Sequence, residues 1–260
     1  TYVLDDPDDK TSDGHIAASG IRLLRRGVME NRPFFVAVGF RRPHLPWAAP
    51  KKYFDMYPLS SLPDPPAKYG DWVSRSPNNK PMPAIRYKQS LQGYYAALSL
   101  ADTQFGRLLD VMDELNLWKN TVVVVIGDHG YHLGSRLWWG KHTPYDDAEA
   151  TPMMIAAPGL PAGTSTNEVV ELVDLYPTLV DLTGLPSKAG LAGRSLKSVL
   201  QNPAGSTGGK AVSLLTTQPN SEIVWARSWS AAGLRLIEFA DSPSRRLELF
   251  DIAKDPQELE

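Results

Sequence analysis

Thr121-Val122-Val123-Val124-Val125-Ile126, followed at once by Gly127-Asp128-His129-Gly130, is the stretch whose reading decides the fold. A run that is apolar or β-branched at every position has no polar face, so it reads as a strand buried on both sides in a parallel sheet. Ligands of open α/β sheets sit beyond the carboxyl ends of such strands. Neighbouring side chains on a strand point to opposite faces, so Asp128 and His129 converge on one object only where the strand ends and the chain turns. Gly127 and Gly130 permit that turn. A carboxylate beside an imidazole, with the ammonium of Lys141 arriving from the next loop, suits a divalent cation and an oxyanion. An isolated Asp-His pair is better explained as a turn cap beside a satisfied surface histidine. The flanking glycines, the strand and Lys141 reverse that preference.

Outward from this stretch, Leu91, Tyr94, Tyr95, Leu98, Leu108, Leu109, Met112 and Leu115 recur at helical steps, which predicts a helix over about Tyr87 to Leu117. Upstream, Pro33 to Phe40 reads as a buried strand. Strand, helix and the 121–126 strand then form a βαβ unit whose strands end at one edge. Asp13 caps a helix from about His15 to Glu30. The Pro-rich segment from Pro58 to Pro83 reads as a substrate-facing loop, with a plain surface excursion nearly as good an account. Downstream, Pro152 to Gly159 predicts a short strand. Asp174 caps a helix through Leu182 with Pro177 in its first turn and Gly184 closing it. After Pro186 the texture changes to strand-like runs near Ile223 to Arg227, Leu234 to Phe239 and Leu247 to Phe250, the pattern of a small antiparallel domain. The expected fold class is α/β, with residues 1–187 forming the main body and 188–260 a small antiparallel α+β subdomain.

The chain has 260 residues, 42% of them hydrophobic, and a net charge of -2, enough for a sizeable core and too balanced to attract nucleic acid by bulk charge. No apolar stretch approaches the roughly 18–20 residues of a membrane span, and Thr1-Tyr2-Val3-Leu4-Asp5 has no signal-like core. Zero cysteines exclude disulfides and a thiol nucleophile within these residues. The absence of an initiator Met leads us to expect that the chain begins mid-protein.

Arg41-Arg42-Pro43-His44-Leu45-Pro46-Trp47 presents His44 from a loop stiffened by two prolines. Such an imidazole can protonate a departing alkoxide or hydrogen-bond an oxyanion, although a lone loop histidine has no role by default. Lys141 is flanked by aromatics, and Gly140 lets the backbone approach a ligand closely. A partly desolvated ammonium is a better oxyanion clamp than a solvated one. Trp47, with Trp138 and Trp139, could pave a sugar-binding surface, although packing is the commoner fate of tryptophan. His132 and His142 join Trp47, His44 and Lys141 as candidates for substrate contact.

Taken in order, Phe34 to Trp47, Tyr94 to Leu108, Gly127 to Thr143, Val170 to Leu179 and Glu248 to Pro256 resemble the type I sulfatases, closest to the iduronate-2-sulfatase branch. The resemblance implies an alkaline-phosphatase-like fold and a sulfuric ester hydrolase acting on sulfated carbohydrate. It implies a calcium ion with Asp128 and His129 among its ligands, and His44 and Lys141 contacting the sulfate group and its leaving oxygen. It also implies a periplasmic or secreted location; it leaves the oligomeric state open. An imidazole neighbour would by itself suggest zinc, since calcium prefers oxygen.

The family's nucleophile is a formylglycine made from Cys-x-Pro-Ser-Arg, and that motif is absent here. Asp241-Ser242-Pro243-Ser244-Arg245 imitates its ending without a modifiable residue and reads as a turn between strands. Where the family usually has Gly-Glu-His-Gly, this chain has Gly134-Ser135-Arg136-Leu137. The sequence is therefore expected to be the carboxyl-terminal, inactive part of a sulfatase. The alternatives are a phosphoesterase or phosphonate hydrolase of the same superfamily, or a non-catalytic protein that binds sulfated glycans.

Overall fold

The computed structural model describes residues 1–67, 80–206, 208–217, 224–240 and 245–259. The chain divides into two compact units, Thr1–Pro65 with Pro81–Lys119, and Pro66–Lys80 with Asn120–Glu260.

In the first unit, β1 (Tyr2–Leu4) pairs in parallel with β2 (Ala48–Pro50), and α1 (Ser12–Met29) packs on the long α3 (Ala84–Glu114), with the short α2 (Lys51–Asp55) between them in sequence. Helix α3 buries Leu91, Ala96, Ala97, Leu100, Leu108, Val111 and Met112; of the predicted stripe Leu91, Leu108 and Met112 are buried, Tyr94, Tyr95, Leu109 and Leu115 are half-buried, and Leu98 is exposed, because the small Ala96 and Ala97 face the packed neighbours. Ala49, Tyr53 and Phe54 close a cluster over Ala96 and Leu100.

Helix α1 begins differently from the expectation. Thr11 is the capping residue, accepting the Gly14 amide at 3.1 Å, and Asp13 is a fully buried residue inside the first turn. The expected strand at 33–40 is also corrected: no ladder partner bonds to it among the described residues, so it is extended chain. It lies along the small residues of α1, where Val38 fills the space left by Gly20 and Phe34 that left by Gly27. The period-2 alternation is present, with Val36, Val38 and Phe40 half-buried and Phe35 83% exposed.

In the second unit, β3 (Val123–Ile126) pairs antiparallel with β6 (Met153–Ala156). Strand β3 is half-buried rather than enclosed, with Ile126 exposed, because β6 is its one described neighbour. The expected parallel βαβ unit is therefore not formed. A hairpin of β4 (His132–Leu133) and β5 (Trp139–Gly140) leads into α4 (Asp146–Glu149). Helix α5 (Leu175–Leu182) holds Pro177 in its first turn, as predicted, and is followed by Gly184 at φ 68° and by α6 (Lys197–Gln201). The expected cap is corrected: Asp174 stands before α5 without a side-chain capping bond to it, and its buried carboxylate instead accepts the amides of Glu171 at 3.0 Å and Arg194 at 2.8 Å.

The carboxyl-terminal sheet is antiparallel throughout, in the order β10-β9-β8-β7, from β7 (Lys210–Thr217), β8 (Val224–Ala231), β9 (Leu234–Ala240) and β10 (Arg245–Asp251). The last three are the runs anticipated from sequence; β7 was not anticipated. Its inner face joins Ala226, Ile237, Phe239 and Phe250 to Trp138 and Tyr145 in one core, so the loop after β5 is anchored on the sheet. The Pro-Ser-Arg imitation at 241–245 falls almost wholly outside the described residues, as does 68–79 of the Pro-rich segment.

Candidate active site

Strand β3 delivers Asp128 and His129 to a corner held by close backbone packing. Neither Gly127 nor Gly130 adopts a positive φ, which corrects the idea that they serve the turn. They serve space. A Cβ on Gly130 would lie 2.3 Å from the Asp147 carbonyl oxygen and 2.6 Å from that of Ala150, and one on Gly127 would lie 2.1 Å from Thr151 Oγ1. The corner is tied down there, the Gly130 amide donating to Ala148 O at 2.8 Å and that of Gly127 to Pro152 O at 3.1 Å.

His129 Nδ1 is 2.7 Å from its neighbour's carbonyl, Gly130 O, which can only accept, so Nδ1 carries the proton and Nε2 presents a lone pair. Lys141 Nζ donates to that lone pair at 2.6 Å, and Asp128 Oδ2 lies 3.4 Å from the same nitrogen. A lone pair and a carboxylate thus face one small region, and a cationic side chain occupies the nitrogen. The Asp128 side chain is 87% exposed, and its Oδ1 accepts the His129 amide at 3.1 Å.

Of these two residues the Asp128 carboxylate fits a cation as a donor; the expectation of His129 as a second ligand is corrected, because Lys141 occupies its Nε2 and its Nδ1 carries a proton. One carboxylate does not complete a shell. Among the described residues no cluster of three or more His, Asp or Glu side chains could hold a metal ion, and calcium takes 6–8 oxygens.

The hairpin that carries Lys141 is wired from inside. His132 is fully buried. Its Nε2 lies 2.6 Å from Thr143 Oγ1, and its Nδ1 lies 2.8 Å from Ser135 Oγ and 3.2 Å from Asp147 Oδ2. Ser135 Oγ donates to Asp147 Oδ2 at 2.6 Å. Burial alone would push the Asp147 carboxyl up, but the hydrogen bonds from His132 and Ser135 outweigh it and hold it below the usual carboxylate range.

Arg136 is also buried, at a left-handed φ of 54°. Its guanidinium stacks 3.6 Å from the centre of the Tyr145 ring and donates to the carbonyls of Gln257 (3.2 Å) and Glu258. Glu258 in turn accepts the Asp146 amide at 2.9 Å and pairs with Arg235 Nε at 2.9 Å. Burial pushes the Glu258 carboxyl up to about 7, against the pull of Arg235. The carboxyl-terminal segment is thereby a strap across the Lys141 loop.

In the first unit, His44 is exposed at the tip of its loop, and its Nδ1 lies 2.7 Å from Leu45 O. That carbonyl fixes the proton on Nδ1 and leaves Nε2 for other chemistry. The loop is held by Asp13, whose Oδ1 and Oδ2 accept the amides of Arg41 and Arg42, both at 3.0 Å. Arg42 Nη1 donates to Pro46 O at 2.8 Å across the same loop, and burial lowers its guanidinium pKa in spite of Asp13.

Two candidates for substrate contact are corrected. Trp47 is buried edge-on against Tyr94, ring centres 6.1 Å apart, and His132 is enclosed in the hairpin, so both support loops instead of facing outward. His142 is exposed. Asp13, Ser135, Thr143, Asp147 and Glu258 were missed by sequence reasoning, because their partners lie up to 112 positions away or on the far side of a hairpin.

Residues 3–185 match the family model described as sulfatase, and residues 134–260 match that of the carboxyl-terminal region of N-sulphoglucosamine sulphohydrolase. A sulfatase of Formosa agariphila is 35% identical over 87% of this chain and 45% of its own length. The iduronate 2-sulfatase of Mus musculus is 31% identical over 71% of this chain and 42% of its own length. The chain thus spans less than half the length of these curated relatives. Among solved structures, a protein in complex with D-glucosamine-2-N,6-O-disulfate superposes with a TM-score of 0.82 at 20% identity, covering 95% of this chain and 64% of the other. The phosphonate monoester hydrolase of Agrobacterium radiobacter gives 0.82 at 22% identity, covering 99% and 57%. These likenesses establish the expected alkaline-phosphatase-like fold, and with the family model matching from residue 3 to residue 185, the chain belongs to the sulfatase family.

Proposed function

We propose that this chain serves a sulfatase that hydrolyses sulfate monoesters of a sulfated carbohydrate, in the manner of the iduronate 2-sulfatases it resembles. The observation that carries the reading is the Lys141 ammonium held on the His129 lone pair beside the Asp128 carboxylate at the end of β3. An ammonium with one proton engaged has two left, and a sulfuryl oxygen accepts readily from them. The charge that develops on such oxygens as the ester cleaves is stabilised by a donor already in place.

The complementary task is given to His44 by the family resemblance alone: with Nδ1 committed to Leu45 O, Nε2 is the nitrogen that would donate to a departing alcohol oxygen. Asp128 would hold a calcium ion together with donors from outside the described residues, while the His129 lone pair stays with Lys141, and the bound ion would add positive charge at the sulfuryl oxygens. The formylglycine nucleophile has no counterpart among these 260 residues. The same reading carries a periplasmic or secreted location and a division into residues 1–187 and 188–260.

The test is an aryl sulfate assay on the full-length protein and on this 260-residue chain, with calcium present and after chelation. Turnover by the full-length protein, lost with chelation and absent from the chain, is the expected result. Hydrolysis by the isolated chain, or a full-length protein that cleaves only phosphonate monoesters, overturns the reading.

A further inference from the structure

A loop lysine is a poor clamp unless something fixes its backbone, because ordering a long side chain costs rotamer entropy. The hairpin around Lys141 has one residue that fixes both flanks. The backbone of His132 pairs with Gly140, immediately before Lys141. Its ring bonds Thr143, two residues after Lys141, at 2.6 Å. The opposite ring nitrogen meets Ser135 and Asp147, which share a 2.6 Å hydrogen bond.

The proton positions follow from the partners. Ser135 donates its hydroxyl proton to Asp147, so its oxygen accepts from His132 Nδ1–H. In neutral His132, Nε2 is left as the acceptor for the buried Thr143 hydroxyl. The chain Thr143→His132→Ser135→Asp147 runs in one direction and ends on a carboxylate, which polarises every member. Its exposed end at Asp147 abuts the corner from the other side, since the Asp147 carbonyl occupies the space that the missing Gly130 side chain leaves. One buried imidazole therefore spans from the loop that carries Lys141 to the segment packed on the His129 corner.

We propose that His132 is a positioning residue for Lys141, holding the ammonium on His129 through the Thr143 and Asp147 hydrogen bonds without touching substrate. The inference rests on the role given to Lys141 under the proposed function. A histidine that merely fills the core would give the same destabilisation when altered, whatever residue stands at 141. A positioning residue would not.

Two readouts separate these cases. In the 260-residue chain, nitrogen relaxation of the Lys141 ammonium is compared with that of the exposed Lys254 in the native protein, in Thr143→Val and in Asp147→Asn. Thr143→Val keeps the volume and removes the donor; Asp147→Asn keeps the shape and removes the charge. We expect an ordered Lys141 in the native chain and a mobility close to that of Lys254 in both variants. Unchanged order at Lys141 in both variants overturns the proposal, and this readout does not depend on turnover.

In the full-length protein, Thr143→Val should lower kcat/KM for an aryl sulfate about tenfold with Lys141 present and less than about twofold in the Lys141→Ala background, the non-additivity of residues that act through one another. Equal losses in the two backgrounds overturn the proposal. Full activity of Lys141→Ala itself would instead sink the proposed function, while the relaxation data would still decide whether His132 orders Lys141.

Discussion

Two loops present the groups proposed to act, and they are held by opposite devices. The His44 loop is clamped from outside: a buried carboxylate on α1, Asp13, accepts two consecutive backbone amides, and the prolines do the rest. The Lys141 loop is stitched from within by the side chains of His132, Ser135, Thr143 and Asp147, then strapped by Arg136 and Glu258. Clamping through backbone amides works whatever side chains the loop carries. Stitching through side chains ties the loop's sequence to its shape.

The largest test of this contrast is at the acting group. Lys141→Ala in the full-length protein should reduce kcat/KM by about 100- to 1,000-fold, the usual loss for one positioned oxyanion donor, with the melting temperature nearly unchanged. Near-native turnover would remove Lys141 from the chemistry and leave the stitching without a purpose.

Asp13→Ala should be the more damaging change to stability, because two loop amides lose their acceptor together; about 2–4 kcal/mol in urea unfolding is expected. Asp13→Asn, which keeps one acceptor, should cost less. Equal stability of Asp13→Ala and native protein would show that the prolines suffice. Gly130→Ala should cost about 1–3 kcal/mol, since its Cβ collides with two carbonyl oxygens that belong to the packed backbone.

The smallest effect is in the strap. A carboxyl whose pKa lies higher folded than unfolded keeps a proton that the unfolded chain has released, so the stability it lends is full below the ordinary carboxylate range and is lost as pH rises to about 7. Burial likewise raises Glu149, which shares Arg235 with Glu258, and acts in the same direction. Melting temperatures at pH 5 and pH 8 should therefore differ less in Glu258→Gln than in the native protein. An unaltered difference would show that Glu258 does not titrate in this interval.

Much of the site was legible. Asp128, His129 and Lys141 were read together from a strand end and a short loop, and the structure places Asp128 and Lys141 each beside the His129 ring. Helices α3 and α5 followed from their apolar periodicity, and three of the four strands of the last sheet from their β-branched and aromatic runs. Strand β7 escaped because Ser213, Thr216 and Thr217 dilute its apolar pattern. Asp13 was taken for a cap because carboxylates at helix starts so often are, and the amides it serves lie 28 and 29 positions away. Trp47 was offered as a sugar platform because residue type alone does not say which way an indole faces.

The sequence by itself determined the family, the periodic helices and the chemical types at the strand end, since these depend on local order along the chain. Which groups act outward and which hold them still was decided only by tertiary structure. Burial and hydrogen-bond direction are properties of what packs against a residue. His132 and His44, alike as letters, are separated by nothing else.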